Sequence, residues 1–203
     1  MGLTDIKKEL KKLEKDKLVD LVADLYKKNK SVKEFFDFYV KPNERELFNK
    51  YRDKIFLAFY PKRGFGYKLK DGKQAITDFK KLGTSPDLLA DLMLFYVETG
   101  VSFTNDFGDI NEAFYKSLAT TFVDSLTLMS KENILDKFTD RVGQLVDDTS
   151  GIGWGFHDYI VQVWIDFYPS DYDAADEEPP QKTDNPTNLR AVWRQEPLAI
   201  TWA

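Results

Sequence analysis

Between residues 3 and 168 the apolar side chains recur three and four positions apart, the repeat of helices that turn one face to a core. Leu3, Ile6, Leu10 and Leu13 set the first stripe, and Leu18, Leu21, Val22 and Leu25 a second, after a slip of phase at Glu14-Lys15-Asp16. A strand would need apolar and polar residues to alternate, and only Phe65 to Lys70 leaves room for a small hairpin. The spacing therefore predicts an all-α chain: a single domain of eight or nine helices, packed as a bundle or a short stack of antiparallel helix pairs, because short connections make neighbours antiparallel.

Caps and breakers divide this pattern. Asp16 is expected to cap the second helix of a hairpin over residues 3–29, Ser31 the third helix and Asn43 the fourth, which follows the stop at Pro42. Pro61 to Lys73 holds one proline and three glycines and forms the one long basic loop, followed by a helix from about Lys73 to Leu82. Ser85-Pro86-Asp87 supplies a cap, a first-turn proline and an acid for a central buried helix predicted to end at Gly100, with a turn over residues 101–109. Core-facing helices follow over residues 110–130 and from Ile134 to Val146, and the last runs from near Trp154 to Tyr168, where Pro169 stops it. The domain is thus residues 1–169. Residues 170–203, with Asp176-Glu177-Glu178-Pro179-Pro180 and no apolar period, are expected to be a disordered acidic and polar tail, although Trp193 or Trp202 could dock on the domain.

Composition narrows function by exclusion. With no cysteine in 203 residues there are no disulfides, no zinc ribbon and no thiol chemistry. The first residues carry mixed charge without an apolar segment, and no run approaches the roughly 18 apolar residues of a membrane span, so a cytoplasmic protein is expected, away from the membrane. The net charge of -5 conceals a polarity: residues 1–81 carry 22 Lys+Arg against 13 Asp+Glu, and residues 82–203 carry 7 against 21. Such halves set up two surface fields of opposite sign.

Several short motifs lack the context their chemistry requires. Asp106-Phe107-Gly108 matches the kinase metal-binding tripeptide, but no phosphate-covering loop or catalytic loop accompanies it. Gly66 to Gln74 is one residue too long for a phosphate loop and ends on Gln in place of Ser or Thr, and Gly151, Gly153 and Gly155 follow a helical segment where a dinucleotide fingerprint needs a strand. Arg63-Gly64-Phe65-Gly66-Tyr67 opens like an RNA-recognition signature, with Lys68 in place of valine. The hairpin of residues 3–29 is similar to small helix-hairpin nucleic-acid binders of the SAP type. His157 is the single histidine, in the first turns of the last helix, and a general base there would draw on Asp158 or on Asp147 or Asp148 nearby, with Asp106 or Asp109 across a cleft. No carboxylate spacing identifies a metal site, and no cofactor is implied. The glycines of Ser150 to Asp158 are read as a hinge that lets the last helix pack Trp154 and Trp164 against the bundle.

Taken together, Pro42-Asn43-Glu44, Tyr60-Pro61-Lys62-Arg63-Gly64, Leu88 to Val97, Phe103-Thr104-Asn105-Asp106-Phe107-Gly108-Asp109 and Ser150 to Asp158 resemble a family of uncharacterised bacterial proteins catalogued as a domain of unknown function. The likeness spans about residues 3–168. It implies an all-helical domain, and it carries over no established activity, cofactor or catalytic residue. The function expected is a non-enzymatic interaction domain that binds a protein partner. The alternative is nucleic-acid binding, with Lys62, Arg63, Lys68, Lys70 and Lys73 and the lysine-rich N-terminal helices on phosphates and Phe65 or Tyr67 stacking on bases. A second alternative is a hydrolase-like enzyme centred on His157 and the nearby aspartates.

Overall fold

The computed structural model describes residues 2–169; the acidic segment predicted to be a disordered tail lies outside the described residues. Among those described are nine α-helices and one 3-10 turn, with no strand. They are α1 (Leu3–Leu10), α2 (Lys15–Lys28), α3 (Lys30–Val40), α4 (Glu44–Phe59), α5 (Leu69–Lys81), α6 (Pro86–Phe107), α7 (Glu112–Lys131), α8 (Thr139–Asp148) and α9 (Phe156–Phe167), with the 3-10 turn at Leu135–Lys137.

Helices α4 to α9 run up and down as a bundle. Tyr60, just after α4, packs on Phe103 and Phe107 near the end of α6, and Asn105 of α6 donates to the Asp148 carbonyl at the end of α8 (3.3 Å). So α4, α6 and α8 end at one pole, where α5, α7 and α9 begin. At the opposite pole, the base, the Ser85 N–H donates to Glu44 (3.2 Å), and Lys137 pairs with Asp87. The core runs through the middle on Phe59, Phe79, Leu92, Tyr96, Leu118, Phe122 and Ile160, all buried. Each such side chain contributes about 1.5–3 kcal/mol on leaving water.

α6 is the central helix, as its apolar residues on more than one face predict, but it does not stop at Gly100. It continues to Phe107, through the residues expected to form a turn. The reason is packing: a Cβ at residue 100 would lie 2.4 Å from Leu118 Cδ2, so this glycine is where Leu118 of α7 seats against α6, and it is not a terminator. Arg141 of α8 braces the same helix, with Nε on Glu98 (2.5 Å) and Nη1 on Asp91 (2.6 Å). Burial opposes the Arg141 charge, but the bonds and charges of Glu98 and Asp91 outweigh it and raise the pKa.

The caps are partly as read. Asn43 accepts from the Glu46 N–H and caps α4, and Pro86 occupies the first turn of α6. Asn29 caps α3 in place of Ser31, because its carboxamide accepts from both Ser31 N and Val32 N. Asp16, the expected cap, lies inside the first turn of α2, two residues past Glu14, which occupies the cap position. Residues 65–70 form no hairpin: the Lys68 N–H donates to the Ala58 carbonyl (2.7 Å), which turns the chain straight into α5 at Leu69.

Candidate functional site

Three surfaces hold the residues that the sequence singles out. The first is the pole where the three inter-helix loops meet. There Tyr115, fully buried, sets its hydroxyl 2.6 Å from the Thr104 hydroxyl and donates to Asp109 Oδ1 (2.7 Å), which also accepts from the Gly153 N–H (3.3 Å). Tyr60 donates to Asp106 Oδ2 (2.7 Å). The stretches Tyr60 to Gly64, Phe103 to Asp109 and Ser150 to Asp158, far apart in sequence, are thus tied into one knot. Burial, reinforced by the bonds to Asp106 and Asp109, raises the pKa of Tyr60 and Tyr115, so both phenols remain protonated donors and neither acts as a base near neutral pH.

His157 joins this knot from the side. The Thr149 hydroxyl donates to the Val146 carbonyl (2.6 Å) and lies 2.7 Å from His157 Nδ1, so with its proton engaged it can accept from an Nδ1–H. Asp158 is exposed, and Asp106 and Asp109 are engaged by Tyr60 and by Tyr115 and Gly153. The structure therefore brings Asp109 and Asp106 to the same pole as His157 without a hydrogen bond between the imidazole and either carboxylate. No group of three or more metal-ligating side chains occurs among the described residues. Trp154 does not pack against the bundle as the hinge reading expects. It stands half-exposed on a left-handed backbone (φ 61), a conformation costly for a bulky side chain, while Ile152 and Phe156 on either side fill the core and Trp164 packs from α9.

The second surface is the basic loop. Phe65 stands free of the fold at its tip, between Gly64 (φ 81) and Gly66 (φ 99), and Lys62, Arg63, Lys68 and Lys70 are exposed around it. The other two residues of the predicted set turn inward. Tyr67 packs its ring on Phe103 and Phe114 and accepts from Asn111 Nδ2 (3.0 Å), and Lys73 donates to Thr121 (2.8 Å) beside the Tyr96 ring.

The third surface is formed by the N-terminal helices, which the sequence offers for their lysines and not for an exposed apolar face. Helices α1, α2 and α3 contain no buried residue at all. Leu3, Ile6, Leu13, Val19, Leu21, Val22, Leu25, Phe35, Tyr39 and Val40 are all exposed. α2 leans on α3 through the Tyr26 hydroxyl, which donates to Asp37 (2.6 Å), and α3 is held to α4 by Glu34, which accepts from Lys50 and from Tyr51 (3.0 Å). The result is an arm of three helices, standing off the bundle with apolar stripes in solvent. Periodicity found the stripes, but it cannot say whether a stripe faces a core or water.

No helix among the described residues is long and apolar enough to cross a membrane. No curated protein and no solved structure matched the chain. Residues 1–167, the arm and the bundle together, match a family described as a family of unknown function, DUF6155. The bundle, its knotted pole and the arm all fall within those limits, and the chain belongs to the DUF6155 family.

Proposed function

We propose that this chain is a non-enzymatic interaction domain whose docking surface for a protein partner is the arm of α1, α2 and α3. The observation that carries the reading is the exposure of ten large apolar side chains, nine on three helices that bury none and Leu13 in the turn between α1 and α2. Those side chains leave on the order of 900 Å² in solvent, more than the roughly 300–600 Å² of a monomer's largest ordinary patch and close to the roughly 800 Å² per partner of a standard interface. Helices this short draw little stability from propensity alone, and an amphipathic stripe gains its stabilisation only when covered. The partner best matched to such stripes is an amphipathic helix that lays its own apolar face between them.

Photo-crosslinking residues placed at Leu21, Leu25 or Tyr39 in the producing cell test this. A discrete adduct with one partner is expected from these positions, and the adduct from Tyr39 should be lost when Leu21→Asp and Leu25→Asp are introduced together. Because both leucines are exposed, the double variant should keep its thermal stability. Equal labelling from Lys116 and Thr120 on the bundle would sink the reading.

One observation favours a second reading, single-stranded nucleic acid. Phe65 is fully exposed between two left-handed glycines with Lys62 and Arg63 beside it, a stacking platform in a positive field. It predicts binding to mixed single strands that weakens steeply with salt and falls on Phe65→Ala. No binding at low salt would remove it.

A further inference from the structure

At the root of the arm, α3 and α4 enclose a cleft of about 510 Å³ floored by Phe38 and Leu47. Its walls hold four lysines, Lys30, Lys33, Lys41 and Lys50, and three carboxylates. The carboxylates are already engaged: Glu34 by Lys50 and Tyr51, Asp37 by Tyr26, Glu46 by the Asn43 carboxamide. Lys50 is spent on Glu34, whereas Lys30, Lys33 and Lys41 have no carboxylate partner among the described residues. Four lysines against three carboxylates leave the cleft a net charge of +1 over an apolar floor, and with each carboxylate held by a partner of its own, Lys30, Lys33 and Lys41 are the groups placed to meet an acidic peptide.

The chain itself carries such a peptide, and the last described helix ends at the pole where α4 begins. α9 descends to the base, where the Tyr168 hydroxyl donates to the Leu135 carbonyl (3.0 Å), and α4 rises from the same base at Asn43, on the rim of the cleft. α9 packs on α7, α7 on α6 and α6 on α4. Three such steps of about 8–10 Å span at most roughly 30 Å. Beyond Tyr168 the sequence reads Asp171, Asp173, Asp176, Glu177 and Glu178, with no basic residue before Lys182. Asp176 to Glu178 lie eight to ten residues on, about 26–36 Å of extended chain, which is the width of the base.

We infer that the acidic segment Asp171 to Glu178 docks in the α3/α4 cleft of its own chain, its carboxylates on Lys30, Lys33 and Lys41. Tethering supplies a millimolar local concentration, so individually weak surface pairs suffice. The inference extends the arm reading by naming an occupant for the arm's root, and it makes the segment a built-in competitor for acidic partners.

Zero-length carbodiimide coupling of the full chain, mapped by mass spectrometry, tests it. Amide links from Asp173, Asp176, Glu177 and Glu178 are expected several-fold more often on Lys30, Lys33 and Lys41 than on Lys131 and Lys137, which lie at the base nearer the end of α9. Half-molar salt should remove that preference. The triple variant Lys30→Glu, Lys33→Glu, Lys41→Glu should lose the links, and adding Asp176→Lys, Glu177→Lys and Glu178→Lys should restore them. A 1:1 mixture of light and 15N-labelled chains should give links within one isotope only. Links scattered evenly, links favouring Lys131 and Lys137, or mixed-isotope links would each overturn the inference. The photo-crosslinks from Leu21 and Leu25 would be untouched by that failure, so the two readings are separable.

Discussion

The carboxylate of Asp109 occupies the space that a side chain on residue 153 would need: a Cβ built on Gly153 would lie 2.5 Å from Asp109 Oδ2, while the Gly153 N–H donates to Oδ1. The glycine is there for close approach of its backbone to an acid that Tyr115 already holds. It is this contact that fastens the loop before α9 to the start of α7.

Gly153→Ala should therefore destabilise the fold by about 1–3 kcal/mol, since Asp109 must swing away from buried Tyr115 and leave its hydroxyl short of an acceptor. Thermal denaturation should show a melting temperature lower by several degrees. In a double-mutant cycle with Asp109→Ala the two losses should fall well short of additive, because both break one contact. Strict additivity would dissociate the two residues.

Two helical glycines should respond with opposite signs. Alanine is the better helix former by about 1 kcal/mol, and at Gly143 in α8 a Cβ meets nothing within 4 Å, so Gly143→Ala should stabilise by about 0.5–1 kcal/mol. At Gly100 the same methyl meets buried Leu118, and overpacking of about 1–3 kcal/mol outweighs the propensity gain. Urea unfolding of both variants measures the sign directly.

Acid should release the arm before it unfolds the bundle. Burial raises the Glu34 pKa, but bonds from Lys50 and Tyr51 and the charge of Lys54 more than offset this and hold it below its ordinary 4.5. A pKa lower in the folded state means the ionised form favours folding. The contribution is full above about 4.5 and disappears as pH falls through the lower folded value. Hydrogen exchange, corrected for its intrinsic pH dependence, should show α3 losing protection in that window while α6 and α7 keep theirs. Glu34→Gln should weaken α3 at neutral pH and abolish the acid-dependent loss.

Removing Arg141 should strand two acids. Arg141→Met leaves Asp91 and Glu98, two turns apart on one face of α6, partly buried with no counter-charge, at a cost of about 2 kcal/mol after allowance for solvent exposure. Arg141→Lys should recover only part of this, since an ammonium cannot bond both carboxylates in the fork the guanidinium makes. Equal stability of the Lys variant and the native chain in denaturant titrations would contradict the brace.

The sequence by itself determined the helices, because their causes are local. The spacing of Leu18, Leu21, Val22 and Leu25, the cap at Asn43 and the proline at 86 act within a turn or two, and α2, α4 and α6 begin where these residues place them to within a residue or three. Near misses share that locality: Asn29, two residues before Ser31, caps α3 by accepting from the N–H groups of Ser31 and Val32. What tertiary structure alone decided is what each face and each glycine meets. Gly100 reads as a stop and serves as a helix contact, Tyr67 and Lys73 read as loop ligands and turn inward, and Asp109 finds Gly153 from 44 residues away. The stripes of α1, α2 and α3 look in sequence like those of the buried helices, yet they face water. A period records that a face is apolar, and only the packing of the other helices determines whether anything covers it.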